Sequence, residues 1–95
     1  MSIETMAHLH PLAGANEDAL ALAARHAMLC SLFCTSCADA CLAERMDMSA
    51  CIRLDLDCAD ICAATARLLL RRTGGDVGVL RAQVETCIRD RKSVV

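Results

Sequence analysis

Eight cysteines in 95 residues are the feature of this chain most able to do chemistry. Cys30, Cys34, Cys37 and Cys41 follow one another at intervals of 4, 3 and 4 residues, and Cys51, Cys58 and Cys62 at intervals of 7 and 4. Steps of three and four residues stack side chains on one face of a helix, so each set forms a row of sulfurs. Such a density of thiols points to a disulfide framework or a metal site. Sulfur with few carboxylates nearby selects soft ions, namely Cu(I), Zn(II) or iron–sulfur clusters. Structural zinc sites are isolated tetrahedra built from paired Cys-x-x-Cys or Cys/His elements. An unbroken row suits ions that take two or three thiolates each and share them with neighbours. Buried thiolates are prohibitive alone, and singly charged Cu(I) ions largely neutralise them. Cu(I) is therefore the best chemical fit. The plain alternative is that each Cys serves as a small buried hydrophobe, although eight oxidisable thiols in one core are a cost that packing leaves unexplained.

The elements that must carry these rows are helices. Apolar residues make up 56% of the chain, yet Phe33 is the only aromatic and Pro11 the only proline. A core of Ala, Leu, Val, Met and Cys reads as all-α, and the length allows one small domain. Residues 1–15 carry His8, His10, Pro11 and Gly14 without a sustained period and read as a flexible N-terminal arm ahead of a Cys-lined bundle over 16–95. Asn16 offers an N-cap, with Glu17 and Asp18 in the first turn of a helix running to about Arg45. After a short linker over Glu44–Ser49, with Asp47 or Ser49 as cap, a second helix runs to about Arg72 and stops at Gly74-Gly75. Asp76 can cap a third from about Val77, which contributes Cys87 in line with Leu80 and Val84. The fold expected is thus an antiparallel helical bundle with three helices present.

A short linker makes the first two helices antiparallel neighbours. Pairing them about it sets Cys41 against Cys51, Cys34 against Cys58 and Cys30 against Cys62, with Cys37 facing Asp55. The residue numbers of the facing cysteines sum to one value, so the two rows match in register. His26, one turn before Cys30, could close the row at one end as an accessory ligand, or lie half-exposed on the surface. Met48, three residues before Cys51, could present a thioether at the other end, or only pack. Cys34-Thr35-Ser36-Cys37 has the redox Cys-x-x-Cys spacing but no βαβ context.

Cys30-x3-Cys34-x2-Cys37-x3-Cys41 followed by Cys51-Ile-Arg-Leu-Asp-Leu-Asp-Cys58-Ala-Asp-Ile-Cys62 resembles the bacterial four-helix-bundle copper-storage proteins over about Ala19 to Arg89. The resemblance implies a bundle whose lumen is lined with Cys and filled with thiolate-bridged Cu(I), serving copper buffering and detoxification. It implies Cys30, Cys34, Cys37, Cys41, Cys51, Cys58, Cys62 and Cys87 as ligands. It also implies a fourth long helix and a further cysteine four residues after Cys87, where this chain has Arg91. The closing Asp-Arg-Lys-Ser-Val-Val resembles a translated sequencing adapter, and Lys92 within it is the only lysine. The expectation is that the natural protein is longer and that residues 90–95 are not native. An open Cys-lined groove left in this way would favour a homo-oligomer.

A net charge of −2 gives no reason to expect nucleic acid or an anionic membrane as partner. The apolar stretches read as too short and interrupted to span a bilayer, and Met1 to Gly14 shows no signal-peptide pattern, which implies a cytoplasmic chain with reduced thiols. No nucleophile–base pair, phosphate loop or convergent carboxylates can be placed, so an enzyme is not expected. The rival reading is an oxidised helical-hairpin chaperone, because Cys37-x3-Cys41 and Cys58-x3-Cys62 have a twin Cys-x3-Cys spacing. That reading leaves Cys30, Cys34, Cys51 and Cys87 unused.

Overall fold

The computed structural model describes residues 2–14, 16–73 and 77–94, with side chains in the last segment described as far as Arg89. The expected glycine stop at Gly74-Gly75 and the cap at Asp76 lie outside the described residues. Among the described residues every regular element is a helix: α1 (Ile3–His8), α2 (Glu17–Leu42), α3 (Ser49–Leu70) and α4 (Val77–Val94). The helices number four rather than the three expected, because the N-terminal arm contributes α1. Ser2 caps it by accepting a hydrogen bond from the Thr5 amide at 3.0 Å. Ala7 is buried, and an ion pair of Glu4 with Arg25 and a hydrogen bond between His8 and Asp18 tie α1 to α2.

α2 and α3 pass each other in opposite directions. Glu17 pairs with Arg72 at one end, and midway the Ser31 hydroxyl donates to the Ala59 carbonyl at 2.8 Å. A stripe of small residues along α2, Ala21, Ala24, Ala27, Ser31, Cys34 and Ala38, is buried, and Ala24, Ala27, Ser31 and Cys34 of it meet α3. Short side chains allow close approach of the two backbones. Each buried methyl contributes only ~0.8 kcal/mol, so the contact relies on its length. Ala24 and Ala27 pack with Ala66 and Leu69, and Leu80 and Val84 of α4 close this cluster from the third side.

The ends of the long helices differ from the expected caps. Asn16 stands at the N-cap of α2, but its side chain makes no capping bond. Met48 takes the N-cap of α3, while Asp47 Oδ1 accepts from the Ser49 amide at 3.0 Å. That bond, with one from the Ser49 hydroxyl, holds the Asp47 carboxyl below its ordinary range. α2 is also, by length and composition, a helix that could cross a membrane, which corrects the expectation that no stretch here is long enough. The core helix of a soluble protein passes the same test, and the small-residue face of α2 is occupied by α3.

Candidate metal centre

Three helices bring sulfur to one place. Cys30 Sγ on α2 lies 3.9 Å from Cys58 Sγ on α3. Cys58 Sγ lies 3.8 Å from Cys62 Sγ one turn along, and Cys62 Sγ lies 3.7 Å from Cys87 Sγ on α4. The ligand atoms of Cys30, Cys58 and Cys62 all fall within 4.8 Å of one another, a triangle able to hold a metal ion. Cys34 packs into the same cluster with Ala59, and Ile61 covers its flank. Cys62 is the common vertex, fully buried, and the chain of contacts runs unbroken from α2 to α4.

Cys34 meets Cys58, as the antiparallel register requires, while Cys30 lies between Cys58 and Cys62 instead of opposite Cys62 alone. Cys41, half-buried, is near enough to Cys51 and Asp55 to feel their charge. Asp55 is itself half-buried, and its charge acts on Cys34 and Cys41. The cysteines do not share one environment. Cys34, Cys58, Cys62 and Cys87 are buried, Cys30 and Cys41 are half-buried, and Cys37 and Cys51 are exposed. His26 is exposed and Met48 half-buried, and neither belongs to the sulfur triangle.

The reason is that the contact face of α2 centres on its alanines, one residue round from Cys30 and Cys37. Those two cysteines therefore flank the seam instead of occupying it. Two polar features of the core are not apparent from the cysteine spacing. Thr65 on α3 is buried and accepts from Gln83 of α4, and Glu17 is buried against Arg72 and the Gly14 amide. The signal for Gln83 was its place four residues before Cys87, on the same stripe.

The electrostatics of the cluster favour the protonated thiols. Burial pushes the Cys62 thiol up to about 12, and its neighbours Cys87 and Cys30 push the same way. Cys34 is raised by burial, against a lowering hydrogen bond from Cys58. Cys41 is raised by loss of solvent first, then by the charges of Asp55, Cys51 and Cys37. No disulfide joins any of the eight cysteines. Cys58 and Cys62 lie against Cys30 and Cys87, and not against a Cys37–Cys41 pair as a twin Cys-x3-Cys staple would need.

A convergent, unbridged sulfur cluster in a helical core has the donor set that soft metals take, and residues 16–93 match the family model for copper storage proteins. The chain belongs to the copper storage protein family. It is also similar to a solved structure of the copper storage protein Ccsp from Streptomyces lividans, loaded with 10 copper equivalents. The two are 38% identical with a TM-score of 0.91, over 98% of this chain and 74% of that one. No curated protein matches the chain. Membership of the copper storage family accounts for the conjunction seen here: unbridged thiols at helical spacing in a core of small apolar residues.

Proposed function

We propose that this chain binds and stores several Cu(I) ions through the thiolates of Cys30, Cys34, Cys37, Cys41, Cys51, Cys58, Cys62 and Cys87, as a copper buffer and defence against copper excess. The observation that carries this reading is the run of sulfur contacts Cys30–Cys58–Cys62–Cys87 at 3.7–3.9 Å across three helices. Sulfurs so spaced bridge neighbouring ions, and thiolate-only donors select Cu(I) over harder metals. Storage needs no turnover, so the chain is read as a non-enzyme. Free thiols in such number suit a reducing compartment, which supports a cytoplasmic location.

The three long helices form an antiparallel bundle. Leu29, Phe33 and Cys37, spaced four apart on one side of α2, are exposed. A second copy of the chain packing on this side would make a homo-oligomer and enclose the exposed thiols. The N-terminal arm, through α1, would then lie against α2 ahead of the Cys-lined bundle. X-ray absorption of the copper-loaded chain tests the storage reading. It expects sulfur neighbours only and a copper–copper distance, and isolated copper with nitrogen or oxygen neighbours would contradict it.

A further inference from the structure

Most of the side chains through which α4 rests on α3 could slide. Leu80 and Val84 pack on the alanine–leucine cluster, and Cys87 joins the thiol cluster with its Sγ 3.7 Å from that of Cys62. Apolar contact is non-directional. A shift of α4 by one turn would exchange one modest side chain for another while carrying Cys87 about 5.4 Å from its partner. Without metal, the sulfur contact alone does little to resist that shift.

Gln83 does not tolerate the shift. It lies one turn before Cys87, and its Nε2 donates to Thr65 Oγ1 at 3.2 Å and to the Ile61 carbonyl at 3.3 Å. Thr65 is 3% exposed, and its hydroxyl proton is already committed to the Ile61 carbonyl at 2.8 Å, which leaves its lone pairs for Gln83. These acceptors flank Cys62 along α3. Hydrogen bonds are directional, and a buried acceptor stripped of its donor is costly. We propose that Gln83 is a positioning residue. By bonding Ile61 and Thr65 it sets the register of α4 on α3 and seats Cys87 against Cys62. A single polar side chain in a repetitive helical interface is the best-attested device for fixing register. The consequence for copper rests on the storage reading: Cys87 is the only cysteine of α4, so a register error removes that helix from the sulfur cluster.

Gln83→Met keeps length, helix propensity and apolar fit while removing both donated bonds. The test exposes reduced, metal-free native and variant chains to limiting diamide, which takes two electrons and two protons from each thiol pair it closes. Disulfides are then mapped by mass spectrometry, with helical content checked by circular dichroism. The Cys62–Cys87 disulfide should form roughly five- to tenfold less in Gln83→Met, the change that loss of about one net hydrogen bond produces. The Cys30–Cys58 disulfide, across the other interface, should be unchanged. Thr65→Val, which removes the acceptor from α3, should lower the same disulfide, and Thr65→Ser should keep it. An equal Cys62–Cys87 yield in native and Gln83→Met chains overturns the proposal, as does a parallel fall of both disulfides. Since no metal is present, these outcomes are independent of copper storage. If Gln83→Met loses the cross-link, its copper capacity should fall to that of Cys87→Ser, and an undiminished capacity would overturn the storage consequence.

Discussion

The Sγ atoms of Cys62 and Cys87 lie 3.7 Å apart across the α3–α4 interface, with Cys62 closed off from solvent. Cys62 also neighbours Cys58 and Cys30, so a single sulfur touches thiols from three helices.

Cys62 should therefore matter more to capacity than an exposed thiol. Cys62→Ser should lose more bound copper than Cys37→Ser, measured by metal analysis after desalting. It should also destabilise the apo fold, because a hydroxyl replaces a thiol in a dry core at a cost of about 1–3 kcal/mol. Equal copper loss in the two variants would place the store elsewhere.

The raised thiols fix a pH dependence. The Cys62 thiol stands at about 12 against an ordinary 9.0. A folded-state value above the unfolded one means that the folded chain holds the proton longer. That contribution is fully present below pH 9.0 and is lost as pH rises toward about 12. Melting temperature of the apo chain should fall across this window. Copper uptake near neutrality must displace protons from the thiols, so loading in weak buffer should acidify the solution.

Asp55 is close to the row without a sulfur of its own. Asp55→Asn removes a negative charge that raises Cys41, the second cause after burial, so the Cys41 thiol should react with an alkylating probe at lower pH. Asp55→Cys should extend the row and increase copper capacity. Unchanged capacity would mean that the side chain turns to solvent.

The end of the bundle away from the α2–α3 linker holds a different feature. Glu17 is 2% exposed against Arg72, whose side chain is 26% exposed. Arg72→Met strands a buried carboxylate and should cost roughly 2 kcal/mol, less than a fully buried pair because Arg72 reaches water. Thermal unfolding measures this, and copper capacity should not change.

The helical fold and the sulfur rows were legible because periods of three and four residues need no tertiary information. Cys34 and Cys58 come together as the register predicts. The exposure of Cys37 and Cys51 was not legible from their spacing. Cys30 and Cys37 share a stripe with Cys34 and Cys41, yet Ala24, Ser31 and Ala38 take the line of closest approach because their bulk is smaller. Cap bonds depend on rotamer and backbone angle: Asn16 stands at the N-cap of α2 without a side-chain bond, whereas Asp47 accepts from the Ser49 amide at the start of α3. Helix α1 is only 6 residues long, stabilised by Ser2 and by packing on α2 more than by its own periodicity.

The most direct test is an anaerobic Cu(I) titration of the fully reduced chain against a competing Cu(I) chelator, with free thiols counted beforehand. A chain of eight reduced, unbridged thiols should outcompete the chelator for several copper ions per molecule before free copper is detected. Saturation at one ion or fewer would contradict storage by shared thiolates.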